Sequence, residues 1–169
     1  EGGGAVALND GDIRVTDADG TTIQSATVVL ANPLDGASEI LTINATLATG
    51  FGITAVVAGD GHSISLSGTA SHAAYQAVLG TVRYNNASLD PDTSDRTIDF
   101  AVNDGVLDSN VATATVTVDA VNQAPVVDLD FDDSSAGGLD AAATFCAQHA
   151  PVAIGGPDID VTDVDGTTL

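Results

Sequence analysis

One acidic stretch occurs twice. Val15-Thr16-Asp17-Ala18-Asp19-Gly20-Thr21-Thr22 returns as Val161-Thr162-Asp163-Val164-Asp165-Gly166-Thr167-Thr168, 146 residues later. Residues 1–23 and 147–169 align without a gap at that offset and share 11 identities. A period of this length is the length of a domain, so the chain reads as a repeated domain in a window that runs past one period. In an extended chain, residues i and i+2 project from one face, so Asp17 and Asp19 converge. Converging carboxylates repel unless a positive charge lies between them, and a hard, oxygen-preferring cation such as calcium supplies one. An Asp-Gly turn between strands accounts for either copy alone. Recurrence at a domain-sized offset points to a metal-bound repeat.

The charge balance agrees with that reading. The 169 residues carry 24 acids, of which 22 are aspartate, against three arginines (Arg14, Arg83, Arg96) and no lysine, a formal charge of -21. A merely solubilising surface would mix aspartate with glutamate; aspartate dominates where short carboxylates occupy turns and chelate cations. Such a surface repels phosphates, which excludes nucleic acid as a partner and disfavours an anionic membrane face. Disorder is opposed by the 44% of hydrophobic residues, mostly Val, Ile, Leu and Ala in alternating order. No apolar run is long enough to insert into a membrane. The single cysteine, Cys146, has no internal partner for a disulfide.

Strand signals fill the rest. Alternation marks strands at 13–15, 24–30, 39–44, 52–57, 62–67, 81–84, 97–102 and 111–118, separated by Gly-, Asn-, Asp- and Pro-rich turns such as Asn32-Pro33-Leu34-Asp35-Gly36. Residues 71–79 depart from this pattern. Ala74, Ala77 and Val78 fall at helical spacing, Ser71 can cap and Gly80 can stop one or two turns. Short strands with turn-rich joints and little helix predict an all-β sandwich. Asn122-Gln123-Ala124-Pro125 reads as a linker because proline ends strand pairing. The expected division is a sandwich repeat over residues 1–121 lacking its first strand, a linker at 122–125, and the N-terminal part of the next repeat over 126–169. Residues 126–131 open that part as a strand, and 132–143 read as loose.

Taken together, the acidic positions resemble the calcium motifs of cadherin repeats, in the flavour found in tandem arrays of large bacterial surface proteins and adhesins. Glu1 stands at the early glutamate. Asp17-Ala18-Asp19 resembles Asp-x-Asp, Leu89-Asp90-Pro91-Asp92 resembles Leu-Asp-Arg-Glu, and Asn103-Asp104-Gly105 resembles x-Asp-x. The stretch from Asp119 to Pro125 is similar to the Asp-x-Asn-Asp-Asn-x-Pro linker, with Val121, Asn122 and Gln123 departing from it. Tyr84-Asn85-Asn86, Val102-Asn103-Asp104-Gly105 and Asn122-Gln123-Ala124-Pro125-Val126 carry the likeness to the bacterial repeats. The resemblance implies a Greek-key, cadherin/immunoglobulin-like sandwich. It implies calcium held between successive repeats by Glu1, Asp90, Asp92, Asp119, Asn122, Asp163 and Asp165, with Asp17, Asp19 and Asp104 facing the preceding repeat. In the second copy, Ala147 takes the place of Glu1, so fewer ions or weaker binding are expected there.

The implied role is structural: a calcium-stiffened adhesive or filament-forming repeat, extracellular at the cell surface, partnered head-to-tail by neighbouring repeats or by copies of itself. The rival is a calcium-dependent carbohydrate-binding module, with glycans as ligands. No Trp, two Tyr and four Phe supply few stacking platforms for it. Catalysis is not expected. His62, His72 and His149 lack the spacing of transition-metal ligands, no serine lies in a Gly-x-Ser-x-Gly context, and Cys146 has no evident base. Asp35 and Asp60 read as ordinary turn residues. Asn44-Ala45-Thr46 and Asn86-Ala87-Ser88 match the N-glycosylation acceptor pattern.

Overall fold

The computed structural model describes residues 4–8, 11–134, 136–148, 150–155 and 157–166. The chain divides into two compact units, Glu1–Ala120 and Val121–Leu169.

The first unit is an all-β sandwich. Its strands are β1 (Val6–Ala7), β2 (Thr22–Leu30), β3 (Glu39–Thr42), β4 (Thr54–Val57), β5 (Ser63–Ser71), β6 (Arg83–Asn86), β7 (Arg96–Asn103) and β8 (Ala112–Val116). One sheet has five strands in the order β4-β5-β2-β7-β8, the other three in the order β1-β6-β3, and every pairing is antiparallel. Alternation sets which residues face inward. Ile64 and Leu66 of β5 and Ile98 of β7 are buried, as are Leu41 of β3 and Tyr84 of β6 from the other sheet. In β2 the parity changes: Ile23 is buried, then Ala26, Val28 and Leu30. The parity changes where the register slips: from Ile23 to Ser25 two steps along β2 face three along β5, from Ala70 to Ser67, so the bulged residue lies on β5.

Two short helices close the core. Helix α2 (His72–Leu79) starts where Ser71 accepts from the Ala74 N–H at 3.2 Å, and it stops at Gly80, as the capping signals predict. It buries Ala74, Tyr75, Val78 and Leu79, and the Tyr75 hydroxyl donates to the Gly68 carbonyl at 2.8 Å. Helix α1 (Ala45–Gly50) was not legible. Its Asn44 cap accepts from the Leu47 N–H at 2.9 Å, but six residues are too few to show a period. Residues 13–15, expected as a strand, belong to none, since no strand among the described residues pairs with them.

The core also holds an ion pair. Arg96 and Glu39 are both fully buried, with Arg96 Nε 2.5 Å from Glu39 Oε1. Glu39 Oε1 also accepts from the Tyr84 hydroxyl at 2.6 Å. Arg96 Nη2 donates to Asp35 Oδ2 at 2.7 Å, and Nη1 donates to the Ser94 carbonyl. Asp35 is therefore not the ordinary turn residue that Pro33-Leu34-Asp35-Gly36 suggests: its Oδ2 also accepts from Asn86 Nδ2 at 2.6 Å. Burial, reinforced by the hydrogen bond to Glu39, pushes the Tyr84 hydroxyl far up, so it remains a donor.

The second unit is different in kind. Strands β9 (Val126–Asp128) and β10 (Asp160–Thr162) form a two-stranded antiparallel sheet, and the rest of its described residues are turns and loops. Among its described residues only Asp130 is buried, 3% exposed. Phe131, Phe145 and Ile154 are exposed. A lone two-stranded sheet without an apolar core is marginal in water.

Removing Arg96 strands two carboxylates at once. Arg96→Met should lower unfolding stability by about 3–5 kcal/mol in urea titrations. Arg83→Met, at an exposed position of β6, should stay within about 0.5 kcal/mol. Equal losses from the two variants would contradict the buried pair's role.

Candidate metal centres

The first acidic turn and the loop after β7 meet in unit 1. Asp17 Oδ1 accepts from the Asp19 N–H at 3.3 Å, while its Oδ2 is buried with no hydrogen-bond partner. Gly20 leaves room for the Asp17 carboxylate: a Cβ there would meet Asp17 Oδ2 and push that carboxylate aside. Asp104 Oδ1 accepts from the N–H groups of Val106 and Leu107, both at 2.7 Å. These two bonds hold its carboxyl below the ordinary aspartate value, against the charge of Asp17. Asp17 is held low first by the Asp19 N–H, with His72 adding a smaller pull. His72, read from the sequence as an ordinary surface residue, is half-buried and leaves Nε2 without a partner. The fold thus brings Asp17 and Asp104, 87 residues apart, within each other's field and beside a histidine.

The second copy repeats the turn in unit 2. A Cβ on Gly166 would meet Asp163 Oδ2, as Gly20 meets Asp17. Asp163 Oδ1 and Asp165 Oδ1 are both buried without partners, and Asp165 Oδ2 accepts from the Gln123 N–H at 2.6 Å. Gln123 follows Asn122, whose Nδ2 donates to the Gln123 carbonyl at 2.7 Å. Desolvation, and then the Asp165 carboxylate, raise the Asp163 pKa above the ordinary aspartate value.

Other expected ligands lie elsewhere. Asp92 is exposed near the start of β7, with Oδ1 3.8 Å from Arg96 Nη1 and its N–H donating to Asp35 Oδ1 at 3.0 Å. The Ser94 hydroxyl and N–H hold its carboxyl low. Asp104 follows the other end of β7, about 26 Å away by strand rise. Asp90 and Asp119 are exposed, and Glu1 lies outside the described residues.

A third cluster escaped the sequence reading. One carboxylate oxygen each from Asp130, Asp132 and Asp158 lies within 4.8 Å of the others, a group of acids that could hold a metal ion. Among the described residues neither Asp-x-Asp turn is drawn into a group of three this tight. Asp130 is fixed by the Ser134 hydroxyl at 2.9 Å and the Ala136 N–H at 2.9 Å. Residues 121–169 contain nine acids and neither Lys nor Arg. The available signal was Asp128-Leu129-Asp130-Phe131-Asp132, itself an Asp-x-Asp run, which the strand assignment of 126–131 absorbed.

The chain is similar to a halomucin. The likeness to halomucin of Haloquadratum walsbyi is 36% identity over 96 residues, which is 54% of this chain and 1% of the halomucin. The chain thus spans about a hundredth of the length of that relative. No protein-family model matches the chain, and no solved structure does. No described helix is long and apolar enough to cross a membrane.

The leading aspartates of the two turns have pKa values shifted in opposite directions. Asp17 and Asp104 contribute stability above their unfolded-chain values that is lost as pH falls through the lowered folded values. Asp163, shifted up, takes up its proton at higher pH than Asp17, shifted down, so without metal it is the first of the two to become neutral on acidification. Carboxyl carbon shifts recorded by NMR from pH 7 to pH 2 should show Asp163 protonating first. The reverse order would contradict the assignment.

Proposed function

We propose that this chain is a cadherin-like structural repeat of a large extracellular surface protein, stiffened by calcium at its acidic turns. The observation that carries the reading is the duplicated Asp-x-Asp-Gly turn. Each copy has its glycine packed against the first aspartate, and each leaves a buried carboxylate oxygen without a partner. An oxygen-preferring cation satisfies such atoms and relieves the repulsion between paired acids. The residues present fit calcium: carboxylates from the turns at 17–20 and 163–166, Asp104 from the loop after β7, and Asp130, Asp132 and Asp158 from the second unit. The similarity to a very long halomucin supports a surface-protein repeat, and the 146-residue offset supports a tandem arrangement. In that arrangement the function is mechanical. Without calcium, crowded acids push the turns apart; with it, ligands from separate loops are pinned together.

Extracellular calcium modules bind with dissociation constants of about 10⁻⁴–10⁻³ M. A site filled at 100 times its dissociation constant adds about 2.7 kcal/mol. Melting in calcium at constant ionic strength should therefore exceed melting in chelator by several degrees. Asp104→Ala and Gly20→Ala should remove part of that rise, whereas Asp60→Ala should keep it. Equal melting with and without calcium would overturn the reading.

A further inference from the structure

Unit 1 distributes its charge unevenly. Residues 36–82, which form β3, α1, β4, β5 and α2, carry only two formal charges, Glu39 and Asp60. Glu39 is fully buried against Arg96, so Asp60 is the one formally charged side chain that this stretch presents to solvent, in a chain of net charge -21. Strand β4 lies in this neutral band, at the edge of the five-stranded sheet opposite β8. Its Val56 and Val57 are 57% and 41% exposed. The strand, Thr54-Ala55-Val56-Val57, pairs with β5 in unbroken register and has no lysine, proline or bulge, the devices that keep sheet edges apart.

The main chain of β4 faces two ways. The Ala58 N–H donates to the Ser63 carbonyl at 2.9 Å, and in the same register Val56 faces Ser65 and Thr54 faces Ser67. These are the hydrogen-bonded pairs of the β4–β5 ladder, so the N–H and C=O groups of Ala55 and Val57 point away from β5, to the open edge. Just before the strand, the Ile53 N–H donates to the Ala48 carbonyl at 2.9 Å, which ends the open edge at Ala55. The corresponding edge of the other sheet is closed: on β3, the Leu41 N–H donates to the Gly61 carbonyl at 2.8 Å.

We propose that β4 is a self-association edge, and that its occupant is β4 of a second copy of this chain, paired antiparallel about a two-fold axis at Val56. In that register Val56 faces the second copy's Val56, Ala55 faces its Val57, and Val57 faces its Ala55. The outward main-chain groups of both copies then make two hydrogen-bonded pairs, each exchanging two N–H···O bonds. Parity is kept, since the two Val56 side chains meet on the face that carries Ser65 and Ser67, and neither copy brings a charge there. Charge selects the occupant. Two chains of one sign repel over their acidic surfaces and can touch where neither is charged, whereas a cationic partner is drawn to the acidic turns instead. The contact is isologous, so it closes as a dimer and joins the two five-stranded sheets into one. It needs neither calcium nor a tandem arrangement.

Two short strands make a small contact, so the association is weak and is read at protein concentrations up to about 1 mM. Sedimentation of the full chain should show a monomer–dimer equilibrium in calcium and in chelator alike. Raising sodium chloride from about 0.05 M to about 1 M should tighten it several-fold, because repulsion between the acidic surfaces is screened. Val56→Lys sets two ammonium groups against each other on the axis and should abolish the dimer while leaving the monomer's melting unchanged. Val106→Lys, at an 82% exposed position, should associate as the parent does. In a Cys146→Ser chain, Val56→Cys should cross-link between copies under mild oxidation, since the Cα atoms of a non-hydrogen-bonded antiparallel pair lie about 4.5 Å apart. In the parent chain, the Ala55 and Val57 amides should exchange more slowly as concentration rises. A chain that stays monomeric at the highest concentration in high salt would overturn the proposal. So would association that weakens with salt, a dimer that Val56→Lys leaves intact, a dimer that Val56→Cys fails to cross-link, or exchange at Ala55 and Val57 that ignores concentration.

Discussion

The buried Arg96–Glu39 pair is the interaction on which the first unit depends. It joins the two sheets from inside, because Arg96 opens β7 in the five-stranded sheet and Glu39 opens β3 in the three-stranded one. Its hydrogen bonds gather Tyr84, Asp35 and the Ser94 carbonyl around one guanidinium. Either charge alone in that position would be strongly destabilising. The pair also sets the charge problem of the whole chain. One of three arginines is committed to the core, and Arg14 and Arg83 are exposed, facing a large excess of aspartates. Carboxylates that converge elsewhere have few protein cations to meet them.

The second unit takes that constraint to its limit. Its one buried residue among those described is a carboxylate, Asp130, in a stretch with no Lys or Arg. The side chains that match unit 1's packed positions are exposed here: Ile154 for Leu8, Ile159 for Ile13 and Val161 for Val15. The same residue types are thus half-buried in one setting and bare in the other. What differs is the sheet they pack against, supplied in unit 1 by β2 through β8. Residues 121–169 thus carry acids and exposed apolar side chains, with neither Lys nor Arg in the stretch and no buried apolar residue among those described.

Much of the sandwich was legible because alternation is a local signal. The strands at β2, β5 and β7 and the Ser71-to-Gly80 helix follow from periodicity and caps. Other features were not, strand β1 at Val6–Ala7 among them. Helix α1 is too short to show a period. The strand expected at 13–15 carries its alternation, but pairing is a property of two segments, and no described strand pairs with it. Asp35 looked like any Asx turn, since nothing local announces that Arg96, 61 residues on, folds onto it. The acidic sites divide the same way. Asp17 and Asp19 are close because they are neighbours in sequence, and the meeting of Asp17 with Asp104 required the family resemblance. Asp130, Asp132 and Asp158 were hidden because Asp158 arrives from 26 residues away.

The account turns on whether external cations take the places that the chain's own side chains leave unfilled. Diffraction from crystals grown in calcium, recorded where calcium scatters anomalously, locates such ions directly. The account predicts anomalous peaks against Asp17 and Asp104, against Asp163 and Asp165, and within the Asp130–Asp132–Asp158 group. Well-ordered carboxylates at these positions with no anomalous peak beside any of them would contradict it.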